Sequence, residues 1–329
     1  MRSRRWVGFI AIIGLLVGAF ALIFTRPAAA DDHAGYFPNI ELTTQDGKKV
    51  HFYDDLIKGK IVAIEMIYTT CHYSCPLETA RMAQVQKMLG DRVGKDIFFY
   101  SITIDPEHDT PPVLKAYMDK FHVGPGWTFL TGKKADIDFL SKKLGIYSDP
   151  SVNADGHIPH LLIGNEATGQ WLRNSAVDNP SFQARMIGDF LDNFTHSQLA
   201  SGKSEAETQL KFDQGQYQFG RMCAACHTIG HGDKIGPDLL GVTTVRDRKW
   251  LLRMIQKPDE LLAEKDAIAL ALFHKYKQVP MPNVYTNDAD ANAIVNFLEA
   301  QTALHDKPAT EPGTSKPAES ANAPLRPEK

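Results

Sequence analysis

The chain's four cysteines stand in two tight pairs, and the spacing of each pair points to chemistry. Cys71 and Cys75 lie in "TTCHYSCP" (69–76), where His72, Tyr73 and Ser74 separate the sulfurs, one residue more than in the common two-residue redox loop. Cys223 and Cys226 lie in "CAACH" (223–227). That Cys-x-x-Cys-His order is the order of a c-type haem attachment site. Two thiols on one helical turn can add to the two vinyl groups of a porphyrin, which places the adjacent His227 beneath the iron. A zinc site would need a further cysteine or histidine beyond the three possible ligands of CAACH itself. The second pair therefore predicts one covalently attached haem c.

The first pair takes its meaning from the elements that must position it. "KIVAIEMIY" (60–68) is a β-branched, nearly continuous apolar run, the pattern of a buried strand, and it leads directly into Cys71. Pro76 sits where a helix can begin. A disulfide across so short a loop would stabilise little, because the gain grows with loop length. A helix start instead supplies N–H groups and positive potential that favour a thiolate. Cys71, at the strand end, reads as the more exposed nucleophile and Cys75 as the resolving thiol. His72 reads as solvent-facing. Asp105 closes the next strand, where it could act on the thiols or simply form an Asp-Pro turn.

Further along, Asp46-Gly47 marks a hairpin turn, "DIFFYSITID" (96–105) a second strand, and Pro111–Phe121 a helix capped by Asp109 or Thr110. "GWTFLTG" reads as a strand and "KADIDFLSKKLG" as a helix closed by Gly145. "HIPHLLIGNEATGQWLRN" reads as a hairpin and 180–198 as a last helix. This order predicts an α/β thioredoxin-like sandwich over residues 31–198. Thioredoxin-like oxidoreductases often carry a cis-proline facing their cysteines, and Pro159 is placed for that role. "LASGKSEAET" (199–208) reads as a linker, 209–304 as an all-α domain, and 305–329 as too poor in apolar residues to pack.

Apolar content of 43% and charged content of 23% are ordinary for a globular protein of two domains. The formal net charge of -3 gives no basic face for nucleic acid. Residues 1–30 carry Arg2, Arg4, Arg5 and Arg26 and no acid, and an apolar run from Trp6 to Phe24 is followed by "RPAAADD". That order predicts a signal peptide cleaved after Ala30, or an uncleaved membrane anchor, and either places the body in the periplasm or another extracytoplasmic space.

Residues 209–304 resemble class I-type cytochrome c. Tyr217, Phe219 and Gly220 precede the haem motif, "IGPDLLG" (235–241) is similar to the family's Gly-Pro-x-Leu stretch, and "DADANAIVNFLEA" fits its C-terminal helix, which packs on the N-terminal one. The resemblance implies that Pro237 orients His227 and that "VPMPN" (279–283) supplies Met281 as the second axial ligand. Met254, in "WLLRMI", reads as core, and His274, within a helical pattern, as the rival ligand. His/Met ligation implies electron transfer rather than oxygen binding.

Residues 33–198 resemble the SCO/SenC family of thioredoxin-like copper proteins, on "TTCHYSCP" and on "SITIDPEHDTPPVLKAYMDKF" (101–121). The resemblance implies one copper held by Cys71, Cys75 and a distant histidine, either His157 or His160 in "ADGHIPHLLIG", with His157 matching the family position just before its strand. Two thiolates and one imidazole suit Cu(I). It implies copper delivery to a cuproenzyme such as a cytochrome c oxidase subunit, with redox partner proteins for the haem. The alternative it leaves open is a thiol-disulfide oxidoreductase that exchanges electrons with the haem domain through Cys71 and Cys75.

Overall fold

The computed structural model describes residues 35–147, 158–192, 195, 213–284 and 286–305. The expected export segment, the 199–208 linker, the tail beyond His305 and His157 lie outside the described residues.

β3 (Ile61–Ile67) is the centre of the first half, and all seven of its residues are buried. Its side chains alternate between two cores, as the strand period requires. Ile61, Ala63 and Ile67 pack beneath α1 (Cys75–Leu89) and α2 (Pro111–Phe121), whereas Val62, Ile64 and Met66 pack with Ile137, Leu140 and Leu144 of α3 (Lys134–Leu144). A strand covered on both faces needs the continuous apolar run that the sequence supplies.

The sheet has seven strands in the order β2-β1-β5-β4-β3-β6-β7. β3, β4 (Ile97–Thr103) and β5 (Trp127–Thr131) run parallel. The hairpin β1 (Glu41–Thr44) and β2 (Lys49–His51) adds antiparallel to β5, and the hairpin β6 (His160–Asn165) and β7 (Gln170–Ser175) adds antiparallel to β3. The predicted α/β sandwich is present. Gly145 closes α3 with a φ of 68°, a left-handed conformation that glycine adopts without steric cost.

Three local readings change. Of the helix read over 180–198, the described residues show helix only to Phe190. α4 (Pro180–Arg185) passes into a wide helical turn, Met186–Phe190, and tertiary donors take the carbonyls there: Arg92 Nη1 donates to Gly188 O at 2.6 Å and Asn165 Nδ2 to Leu191 O at 2.8 Å. Thr110 occupies the cap position of α2 without a side-chain hydrogen bond, and Asp109, the other cap candidate, turns inward instead. Pro159 follows a trans peptide bond, and its carbonyl accepts from Ala176 N–H.

The second half is helical. α5 (Gln214–Gln218) continues through a wide turn, Phe219–Cys223, into the haem motif. α6 (Val242–Val245), α7 (Arg248–Gln256), α8 (Pro258–Ala263), α9 (Ala267–Lys275) and α10 (Asp288–His305) follow. α5 crosses α10 at close range: a Cβ on Gly215 would lie 2.1 Å from Ala293 O, so only glycine fits there. Phe219 and Phe297 meet across the crossing with ring centroids 5.6 Å apart. Leu251, Ile255, Ile294, Val295 and Leu298 complete this core. Among the described residues no helix is long and apolar enough to cross a membrane.

Candidate functional site

Cys71 and Cys75 sit where β3 ends and α1 begins, and both are free thiols. Cys71 is 3% exposed and Cys75 fully buried, so exposure does not single out the nucleophile as the sequence reading expected. Charge does. The Cys71 thiol is drawn down to about 6, chiefly by the hydrogen bond from the Cys75 thiol, and further by the backbone N–H groups of Cys75 and Tyr73 and the Tyr68 hydroxyl, against the opposing effect of burial. These N–H groups belong to the first turn of α1 and the residues leading into it, the region expected to favour a thiolate. Burial pushes the Cys75 thiol up, and the neighbouring Cys71 and Glu78 add to that. The pair is thus polarised into an anion and its proton donor. Asp105 is not among the groups that shift either thiol.

A residue that the sequence suggested only as a helix cap holds this loop. The buried Asp109 carboxylate accepts from Thr69 N–H at 3.1 Å and from the hydroxyls of Thr69 and Thr103, and His108 Nδ1 lies 3.1 Å away. It fixes the approach to Cys71 from two residues upstream. Its place in "DPEHDTP" was the available signal. His72 is exposed, as expected.

The pairing of Glu65 with Leu161 sets the start of β6 at the sheet end where β3 gives way to the cysteine loop. His160, half-buried, opens that strand. His157 lies outside the described residues. Among the described residues no cluster of three or more His, Cys, Asp or Glu side chains is arranged to hold a metal.

Cys223, Cys226 and His227 line a cavity of about 430 Å³ in the helical half, with Met281 and Met254 also on its walls. Pro237 O accepts a hydrogen bond at 2.8 Å from His227 Nδ1. A carbonyl can only accept, so Nδ1 carries the proton and Nε2 keeps its lone pair for a metal. Burial lowers the His227 pKa and keeps the ring neutral. Gly236 makes room for this: a Cβ there would lie 2.6 Å from the imidazole. As free thiols, Cys223 and Cys226 are pushed up to about 12 and about 11 by burial, the reverse of Cys71. Met254, read as core, reaches the cavity because α7 turns that face inward. Met281 also borders a smaller adjoining cavity with Met222, and His274 lines neither. An apolar cavity with two thiols, a tautomer-fixed imidazole and a thioether fits haem c.

The sequence model of SCO1/SenC matches residues 28–163, and that of cytochrome c matches residues 212–302. An SCO2-like protein of Rickettsia typhi is 30% identical over 200 residues, which cover 57% of this chain and 94% of that protein. The chain belongs to the SCO1/SenC family. Among solved structures, this SCO1/SenC chain is similar to Bradyrhizobium japonicum ScoI with copper bound, at 25% identity over 45% of this chain and 94% of that one, with a TM-score of 0.38. The cytochrome c domain of a Pseudomonas putida protein is 45% identical over 27% of this chain and 88% of that one, with a TM-score of 0.26. The sequence reading of an SCO/SenC module joined to a cytochrome c domain therefore holds.

The SCO1/SenC half and the cytochrome half touch through the very segments that carry these sites. Pro76, bonded to Cys75, forms part of the 430 Å³ cavity wall. His72 O accepts from Asn283 N–H at 3.2 Å, two residues beyond Met281. Ala225, Cys226 and Ile235 join the apolar core beneath α1.

Proposed function

We propose that the protein is an exported copper-delivery protein with linked electron transfer: Cys71, Cys75 and His157 bind one copper ion as cargo and pass it to a cuproenzyme, a cytochrome c oxidase subunit being the natural recipient. Copper is bound in the Bradyrhizobium japonicum relative. The observation that carries the reading is the polarised, reduced pair of thiols at the start of α1 in an SCO1/SenC chain. A thiolate and its adjacent thiol offer two soft ligands that are already together, and an imidazole arriving from the segment before β6 completes a Cu(I) set. The arginine-led apolar run of residues 6–24 supports export or membrane anchoring.

Cys223 and Cys226 would carry haem c covalently, and His227 Nε2 and the Met281 thioether would hold its iron. The bound group supplies one-electron transfer. The chain orients the imidazole through Pro237 O, gives it space at Gly236, and encloses the site in apolar side chains. A redox partner protein would exchange electrons with it.

The deciding experiment is an anaerobic Cu(I) titration against a competing chelator. One-to-one binding that is strongly weakened in His157→Ala and in Cys75→Ser is expected. Binding indifferent to His157 but lost in His160→Ala would move the ligand to His160.

The low pKa of Cys71 beside a protonated Cys75 also favours a second reading, thiol-disulfide exchange with Cys71 attacking and Cys75 resolving. Disulfide reduction in copper-free protein that survives His157→Ala would select it.

A further inference from the structure

The helix that begins at Cys75 carries a second feature that the thiol chemistry does not use. Arg81 is 3% exposed on α1, and its Nη2 donates to Gly220 O at 3.0 Å and to Arg221 O. Gln84, three residues on and on the same face, donates from Nε2 to Ala224 O at 3.2 Å. The two side chains hold carbonyls at the end of the helix that leads into CAACH. Carbonyls of a last turn lack intrahelical donors and carry the negative end of the helix dipole, so a guanidinium suits them. Among the described residues, no hydrogen bond ties the Arg81 guanidinium or the Gln84 amide to its own half. The opposite end of the same seam is where Pro76 meets the haem cavity and His72 O meets Asn283 N–H.

We propose that the two halves work as one docked unit, in which Arg81 is the positioning residue that seats the haem-attachment segment on α1, and the His72–Asn283 hydrogen bond carries the state of the Cys71–Cys75 pair to the Met281 loop. A ligand on Cys71 shifts the His72 carbonyl. Asn283 follows, and Pro282, rigid between Asn283 and Met281, passes the displacement to the thioether. The inference rests on reading residues 223–227 as a haem site and is independent of whether copper or a disulfide is the physiological partner of the thiols.

The test uses the full chain with haem attached, as wild type, Arg81→Met, Arg81→Lys, Asn283→Pro and Asn283→Ala. Arg81→Met keeps apolar bulk but removes the donors. Asn283→Pro removes the amide N–H without touching the buried guanidinium, so it decides the link if Arg81→Met fails to fold. Because it also removes the Asn283 Nδ2 bond to Asp259, Asn283→Ala, which keeps the N–H, is its control and should retain the wild-type shift. Each protein is either carbamidomethylated at Cys71 or loaded with one equivalent of Cu(I). The readouts are the methionine-to-iron charge-transfer absorption, the haem reduction potential and the small-angle scattering radius. In wild type, carbamidomethylation should shift both haem signals. In Asn283→Pro the shift should be at least halved with the radius unchanged. In Arg81→Met the shift should be lost and the radius should grow, with Arg81→Lys intermediate. A wild-type haem unmoved by alkylation overturns the link, and an Arg81→Met protein as compact as wild type overturns the lock. Failure of the copper reading shows separately as absent Cu(I) binding, and the alkylation arm still decides. Failure of the haem reading shows as absent covalent haem, with no haem signal for the pair to reach, and that overturns the proposal.

Discussion

At the scale of single residues, the four cysteines have one chemistry and opposite fates. Burial is the main force driving Cys223 and Cys226 up, against the pull of Arg81, while Cys71 gains hydrogen bonds to its charged form that outweigh burial. In reduced, copper-free protein, alkylation of Cys71 should therefore rise with pH to a half-maximum near 6 and level off above it. Cys75→Ala removes the largest stabilising hydrogen bond, so the midpoint should move up toward the ordinary thiol value of about 8.5. A stopped-flow alkylation profile checks both. On the haem side, Gly236→Ala presses a methyl group onto the His227 ring. Overpacking of this kind costs about 1–3 kcal/mol. The denaturation midpoint of the haem-loaded protein should fall accordingly, and its axial-ligand absorption should change with it.

At the scale of elements, the thiol loop depends on β4 and the turn after it as much as on β3 and α1. Asp109 ties Thr69, in the loop, to Thr103, the last residue of β4, and it is fully buried. Asp109→Ala leaves the buried Thr103 hydroxyl without its acceptor, at about 1–3 kcal/mol, and releases the half-buried Thr69. Thermal unfolding of the SCO1/SenC half should shift down, and the Cys71 alkylation midpoint should rise as the loop loses its anchor. Asp109→Asn, which retains an acceptor oxygen, should recover part of both. A variant that loses stability while the midpoint stays fixed would limit Asp109 to a purely structural role.

At the scale of the whole molecule, the two halves are stabilised differently. The first has a sheet with an apolar core on each face, one of which Ala225, Cys226 and Ile235 of the second half also join. The second surrounds a cavity of about 430 Å³ with short helices. Without a group to fill it, that apolar space admits water, and its lining side chains forgo the burial that would stabilise the helices around it. A Cys223→Ala/Cys226→Ala protein, which cannot attach haem, should lose the helical signal and the hydrogen-exchange protection of residues 213–305 while the sheet keeps its own. Retained protection in α10 would show that the helices stand without the group.

The sequence by itself determined the chemistry available and most of the frame that carries it. CAACH, the strand run of 60–68, Pro76 and Gly145 act through covalent spacing and local backbone preference, and these are readable over a few residues. The α/β order followed from the alternation of such local signals. Tertiary structure alone decided which thiol is charged, because that depends on hydrogen bonds converging on Cys71 from Tyr68, Tyr73 and Cys75 in the folded loop. It decided that Asp109 braces the loop instead of capping a helix, that the last helix ends where Arg92 and Asn165 take its carbonyls, and that Met254 reaches the cavity lined by Cys223, Cys226 and His227. It also decided that Arg81 faces a helix end about 140 positions away, so that the two halves meet at their sites. Those outcomes turn on partners far apart in the chain, and no local pattern records which distant group will be there to meet them.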